Sequence, residues 1–244
     1  MNTHFTHTEL VYNFSAAREI VPVILKLVDP ESVLDVGCGI GTWLKIFEDH
    51  HVNDYMGVDG DYVDRNLLKI PAERFYPCDL SKHFDLGRKF DLVISLEVAE
   101  HIAESSADQF VASLVKHGDV LLFSAAIPWQ GGQHHLNEQW PEYWEEKFKK
   151  FGFYFHDVIR PEIWNNVRVD FWYKQNMFLI KKERPERQPF RSLSMVHPEL
   201  FELKMQNEKE FFQSLLEGRH GLRMGCIIFM NAIKFKIRSV FKSK

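Results

Sequence analysis

Val33-Leu34-Asp35-Val36-Gly37-Cys38-Gly39-Ile40-Gly41 is the stretch that decides the fold. Val33 to Val36 is a short apolar run rich in β-branched residues, the pattern of a buried strand. Gly37, Gly39 and Gly41 then interrupt it, and Thr42-Trp-Leu-Lys-Ile-Phe-Glu48 resumes with helical spacing. A strand that feeds a glycine turn and then a helix makes a nucleotide-cofactor site. Glycine adopts positive φ at little cost and lets a ligand approach where a Cβ would collide.

Two cofactor classes use such a turn. The dinucleotide fingerprint G-x-G-x-x-G seats a pyrophosphate on the helix N-terminus. Here the spacing is G-x-G-x-G, and Thr42 stands where that fingerprint has its third glycine. Asp35, two residues before the first glycine, would repel a pyrophosphate but suits a ligand with positive charge and amine donors. S-adenosylmethionine has a sulfonium, an α-ammonium and no phosphate. Tyr55-Met-Gly-Val58 reads as a second strand ending in Asp59, placed to accept from ribose hydroxyls or, alternatively, to cap a helix or turn. Asp79, after Phe75-Tyr-Pro-Cys78, either accepts from an adenine amino group or opens a helix with Leu-Ser-Lys82. Phe90-Asp-Leu-Val-Ile-Ser95 is a further buried strand with Glu97 beyond it. Asp35, Asp59, Asp79 and Glu97 thus all fall at or near strand C-termini, where open parallel sheets bind ligands.

With these residues in view, the chain resembles the class I S-adenosylmethionine-dependent methyltransferases. The matching segments are Val33–Gly41, Gly57-Val-Asp59, Cys78-Asp79-Leu80 and Phe90–Ile102, within a region of about residues 10–182. The resemblance implies an α/β, Rossmann-like sheet of seven strands, mostly parallel with an antiparallel last strand, and helices on both faces. It also implies that Gly37, Gly39 and Gly41 line the methionine part of S-adenosylmethionine, that Asp59 holds its ribose, and that Asp79 with Leu80 frames the adenine. Glu97 would face the reacting methyl.

A chain of 244 residues, 45% hydrophobic and 26% charged, can bury one substantial core with an appendage. A net charge of −4 gives no reason to expect a nucleic-acid partner. Two of the three cysteines, Cys38 and Cys78, fall inside cofactor motifs, so neither a disulfide framework nor a zinc site is expected. Met1-Asn-Thr-His-Phe-Thr-His-Thr-Glu9 has no basic and apolar leader pattern, and no run of 18 apolar residues occurs, which points to the cytoplasm.

Outside the cofactor motifs, Ser15 to Leu27 predicts a helix, Asp119–Ser124 a fifth strand, and residues 139–150 a helix whose Trp140, Tyr143, Trp144, Lys147, Phe148 and Phe151 share one face. Phe153 to Ile159 and Gln175 to Ile180 predict a closing strand pair. Arg160 to Trp172 between them is a long excursion rich in aromatics and not obviously structured, of a size more often functional than accidental. Pro128-Trp-Gln-Gly-Gly-Gln-His-His-Leu-Asn-Glu-Gln-Trp140 follows a strand end and concentrates imidazoles, amides and indoles around paired glycines. Such a lip suits a polar ring such as a sugar, and it resembles a loop of methyltransferases from bacterial surface-polysaccharide gene sets. An ordinary surface loop is the plainer alternative.

The chemistry expected is methylation of a small polar acceptor, above all a hydroxyl of a sugar or sugar-linked glycan precursor. N- or carboxyl-methylation of another metabolite, or a non-catalytic scaffold, are the alternatives. A hydroxyl acceptor must lose a proton, and histidine is the base suited to neutral pH. His135 is the first candidate, then His134; His101 serves catalysis or structure. Adjacent histidines with one carboxylate suit Mg²⁺ poorly, so no metal is expected.

Residues 1–182 make the catalytic domain. Residues 183–244 make a linker, beginning Glu183-Arg-Pro-Glu-Arg-Gln-Pro-Phe-Arg191, and a helical extension. From Arg219 onward seven basic residues and no acidic one interleave with Leu222, Ile227, Phe229, Ile233, Phe235 and others. That is a basic amphipathic helix, able to lie on the inner membrane face or to pack on the domain or on a second subunit as a homodimer contact.

Overall fold

The computed structural model describes residues 14–185 and 193–242, with side chains up to residue 235 in the last helix. Residues 1–13 and most of the charged linker, residues 186–192, lie outside the described residues, as do the side chains at the end of the basic tail. The chain divides into two compact units, Met1–His197 and Pro198–Lys244.

The first unit is a seven-stranded sheet in the order β3-β2-β1-β4-β5-β7-β6. Its strands are β1 (Ser32–Val36), β2 (Asp54–Asp59), β3 (Phe75–Pro77), β4 (Leu92–Leu96), β5 (Val120–Ser124), β6 (Tyr154–His156) and β7 (Phe178–Lys181). The pairs from β3 through β5 are parallel, and β7 runs antiparallel to both of its neighbours. The chain order reverses between β1 and β4. A ligand crevice opens beyond the strand C-termini at such a reversal.

Every residue of β1 and β4 is buried, as a parallel strand covered on both faces requires. Alternation along the strands separates two cores. Val33, Leu92, Ile94 and Leu122 face α1 (Ser15–Val28) and α2 (Thr42–Asp49), while Leu34, Val93 and Phe123 face α3 (Ala107–Lys116) and α4 (Pro141–Lys149). On the second face Phe123, Phe148, Phe155 and Phe178 form an aromatic chain with ring centroids 5.0–6.2 Å apart. Edge-on and tilted pairs of this kind contribute about 0.5–1.5 kcal/mol each beyond their buried area. Asp91 Oδ2 accepts from the backbone N–H groups of Glu31 and Ser32 and from Ser32 Oγ, which pins the starts of β1 and β4 together.

The structure differs from the sequence expectation in its last third. Arg160 to Trp172 is not an unstructured loop, because it holds α5 (Arg160–Ile163) and the start of α6 (Phe171–Asn176). Pro161 starts α5, where its missing N–H costs nothing. The strand expected at Gln175 therefore begins only at Phe178. The first unit also extends past Lys182 to His197, whose backbone N–H donates to Gln175 Oε1 at 3.0 Å.

The second unit comprises α7 (Pro198–Leu216) and α8 (Gly221–Lys242). Leu222, Phe229 and Phe235 of α8 are exposed, and Arg223 and Lys234 belong to the same helix. Among the described residues no helix is long and apolar enough to cross a membrane.

Candidate active site

The glycine turn is wound tightly on the end of β2. Gly37 has φ +88°, and a Cβ there would lie 2.2 Å from Val98 Cγ2; Gly41 has φ +83° and faces Ile70. These two positions accept only glycine without strain or displacement. Gly37 N–H donates to the Val58 carbonyl at 2.7 Å, and Gly39 N–H donates to Asp59 Oδ2 at 2.7 Å. Asp59, the buried last residue of β2, also accepts at Oδ1 from Gly60 N–H (2.6 Å) and from the Tyr62 hydroxyl (2.7 Å). Three of its roughly four lone-pair positions are thus filled. The phenol that fills one of them, Tyr62, is half-exposed.

Asp35 is 3% exposed, and its Oδ2 has no hydrogen-bond partner. Burial, and then the charge of Asp59, push its carboxyl well above the usual carboxylate range. A buried carboxylate oxygen without a donor costs about 1–3 kcal/mol or more. What relieves it is a cation bearing N–H groups, such as an α-ammonium. The orphaned oxygen of Asp35, the close glycine turn and the acidic end of β2 together fit S-adenosylmethionine. Leu80 is buried beside this end of the sheet. Asp79 is exposed and holds a turn, accepting from Ser81 N–H and Oγ at Oδ1 and pairing with Lys82 at Oδ2. No helix follows it directly, so of the two expected roles the helix-opening one is not taken.

Glu97 follows β4 with φ +53°, and its N–H donates to the Ser124 carbonyl (3.0 Å) and Oγ (3.1 Å). Non-glycine residues in this conformation cluster at functional sites. Trp129 (φ +66°) and His134 (φ +59°) share it. The Glu97 carboxylate accepts from Gln130 Nε2 (2.8 Å) and Asn176 Nδ2 (3.2 Å), and Gln130 Oε1 in turn accepts from Gln175 Nε2 (2.9 Å). Burial raises the Glu97 carboxyl, opposed by these bonds and by His135.

Beyond Glu97 the loop of residues 128–140 folds back over the short turn Ala99–His101, with the Leu136 and Asn137 N–H groups donating to the Glu100 carbonyl. His135 Nδ1 is 2.8 Å from Glu138 Oε1, and its ring meets that of His101 edge-on at 4.9 Å. Its Nε2 stands 4.0 Å from Glu100 Oε1. Glu138 also accepts from the N–H groups of Trp129 and Gly131, both at 2.8 Å, so one carboxylate fixes both the loop and the imidazole. Burial lowers His101 to about 4, a shift opposed by its contact with the His134 carbonyl and reinforced by the two neighbouring imidazoles. Glu100 is pushed well up by burial and then by Glu97.

His101 and His135 are therefore brought together, whereas His134 meets His101 through its carbonyl and keeps an exposed side chain. Glu100, Gln130, Gln175 and Asn176 are site residues that sequence reasoning missed. Their signal was a run of polar residues, Lys174-Gln175-Asn176, placed against an apolar strand pattern, and an acid spaced three residues after Glu97.

A family profile described as a methyltransferase domain matches residues 11–160. The chain belongs to this family, class I methyltransferases with S-adenosylmethionine as cofactor. Among curated proteins none matches. Solved structures share the fold at low identity. The sugar N-methyltransferase KedS8 from Streptoalloteichus is 18% identical with TM-score 0.55, over 75% of this chain and 99% of its own. CalS10, an amino pentose methyltransferase from Micromonospora echinaspora, is 17% identical with TM-score 0.53 over the same shares. DesVI of Streptomyces venezuelae is 17% identical with TM-score 0.54, over 72% and 96%.

Proposed function

We propose that this methyltransferase-domain protein methylates a hydroxyl of a sugar or a sugar-linked precursor of a surface glycan. The observation that carries the proposal is the His135–Glu138 pair, set beside the exposed indole of Trp129 on a loop that leaves the C-terminal end of β5. An exposed ring offers a stacking face for a sugar, and the amides and carboxylates around it offer hydrogen bonds to its hydroxyls. The glycine turn and this loop both lie at strand C-termini.

Bound S-adenosylmethionine supplies an electrophilic methyl on a sulfonium. On this reading Gly37, Gly39 and Gly41 line its methionine part, Asp35 receives the ammonium, Asp59 the ribose, and Leu80 with Asp79 borders the adenine. Holding the acceptor in line is worth as much as about 7–11 kcal/mol. Removal of the hydroxyl proton adds typically about 10²–10⁴-fold. Glu138 holds Nδ1 of His135, so Nε2 receives that proton when no metal is present. His134 and then His101, whose ring meets that of His135 edge-on at 4.9 Å, are the next candidates for the base.

An amine acceptor is the second reading. Glu97, Glu100 and Glu138 put three carboxylates around the loop, a surround that suits an amino sugar; KedS8 is a sugar N-methyltransferase and CalS10 an amino pentose methyltransferase. The test is incubation with S-adenosylmethionine and parallel panels of neutral, nucleotide-linked and amino sugars. Released S-adenosylhomocysteine is measured and the products are read by NMR. An O-methyl sugar supports the first reading and an N-methyl sugar the second; turnover on neither panel sinks both. Adsorption of α8 to an anionic membrane is a companion proposal resting on its basic and apolar side chains, read by flotation with acidic vesicles.

A further inference from the structure

Three potential metal ligands that the sequence reading did not assemble converge in the acceptor loop. One donor atom each from Glu100, His101 and His135 lie within 4.8 Å of one another. Metal bonds of ~2.0–2.2 Å place tetrahedral ligand atoms about 3.4 Å apart, so the three need only close inward. The segment that carries His135 contains Gly131 and Gly132, and the imidazole already lies directly over Gly132, where a Cβ would meet its Nε2 at 2.2 Å.

Two further observations point to a ligand. Glu100 is 1% exposed, and its Oε2 has no hydrogen-bond partner, so a buried carboxylate oxygen is turned into protein with nothing to accept from. Both imidazoles are also held by Nδ1, His135 against Glu138 Oε1 at 2.8 Å and His101 against the His134 carbonyl at 3.3 Å. An imidazole whose Nδ1–H is given to a carboxylate or carbonyl presents the Nε2 lone pair, and this is how proteins orient metal-binding histidines. The charge agrees: the carboxylates of Glu97 and Glu138 both act on buried Glu100, so three acids gather about one loop.

We propose that Glu100, His101 and His135 bind one divalent transition-metal ion of the Mn²⁺, Co²⁺ or Zn²⁺ kind. Two imidazoles and one carboxylate suit the borderline cations Co²⁺ and Zn²⁺ best and the harder Mn²⁺ less, all better than Mg²⁺, and such a triad leaves coordination positions open. Glu138 and the His134 carbonyl form the outer layer that aims the histidines. The inference deepens the proposed function, on which its substrate consequence rests. The open positions take two neighbouring oxygens of the acceptor, which selects a vicinal diol. In the loaded protein Nε2 of His135 is a ligand, and the cation takes over its task by acidifying the hydroxyl it holds. That hydroxyl gives its proton to solvent, its oxygen bonds to the methyl carbon, and the carbon–sulfur bond breaks.

The test uses the full chain stripped with chelator and titrated with Co²⁺, followed by visible d–d absorption. In parallel, S-adenosylhomocysteine binding is followed by calorimetry. One Co²⁺ per chain is expected to saturate. Glu100→Gln and His135→Ala should each weaken it by more than the roughly 10–100-fold typical of an outer-layer change, and Glu138→Gln by that amount. His50→Ala, on the far end of α2, should leave it unchanged. Absence of saturable Co²⁺ binding, or binding undiminished in Glu100→Gln and His135→Ala, overturns the site. Retained S-adenosylhomocysteine binding certifies that each variant is folded, and Glu138→Gln reads the site should a ligand variant not fold. Loss of S-adenosylhomocysteine binding in the wild type with Co²⁺ binding intact would instead refute the methyltransfer reading and leave the metal site standing.

Discussion

Asp35→Asn should move stability and cofactor affinity in opposite directions. The side chain is 3% exposed, its Oδ2 is unpartnered, and burial holds its carboxyl well above the unfolded range. An acid whose folded pKa is raised adds stability below its unfolded pKa, near 3.9. That contribution is lost as pH rises through the folded value, so at pH 7 the ionised form works against the fold. Asparagine keeps the shape and removes the charge. Leaving such an atom unsatisfied costs about 1–3 kcal/mol, so relief of about 1 kcal/mol is a modest demand, worth roughly 2–4 °C in Tm for a chain of this size. The same change would remove the charge-assisted hydrogen bond proposed to the ligand ammonium, about 1.5–3 kcal/mol, or roughly 10–150-fold in affinity. Thermal unfolding at pH 7 and at pH 4, with calorimetric titration of S-adenosylhomocysteine, reads both. The stability gain should shrink at pH 4. A variant that binds S-adenosylhomocysteine like the wild type, or that is less stable at pH 7, would refute the reasoning.

Gly37→Ala must hold φ +88° and meets Val98 at 2.2 Å. The backbone alone costs about 1–2 kcal/mol, so melting should fall and S-adenosylhomocysteine binding should weaken at least tenfold by calorimetry. Arg160 is fully buried, pairs with Asp157 and donates to the carbonyls of Gln175 (3.0 Å) and Leu193 (2.8 Å). Arg160→Met should therefore cost about 3–5 kcal/mol in urea unfolding, and a loss under 1 kcal/mol would show that the network is not structural. On an accepted sugar, His135→Ala should lower kcat by about 10²–10⁴-fold, whereas His134→Ala, with its exposed side chain, should change it only a few-fold; equal losses would contradict the ranking.

The cofactor half of the site was legible because its signal is local. Val33–Gly41 carries strand, turn and helix in one stretch, and Asp59 follows at the end of the next strand, so Gly39 and Asp59 meet as their positions require. The acceptor half depends on contacts between residues far apart in sequence. Glu97 meets Gln130 and Asn176, and Glu100 meets His135, across separations that no periodicity encodes. The apolar run Met177–Ile180 extends a strand pattern back over Gln175 and Asn176, yet Tyr173 and Asn176 belong to a helical turn that packs Tyr173 edge-on against Trp43 at 5.4 Å. Tertiary packing overrode a short apolar pattern there, and it did so where the site needed polar side chains in the core.

Calorimetric titration of the wild-type chain and of Asp59→Ala with S-adenosylhomocysteine tests methyl-donor binding most directly. Asp59 accepts from the Gly39 N–H at 2.7 Å and is the residue proposed to hold the ribose. Saturable 1:1 binding by the wild type, weakened at least tenfold in Asp59→Ala and absent for NAD in both, is the predicted result. A well-folded wild type that binds no S-adenosylhomocysteine, or a variant that binds it equally well, would contradict it.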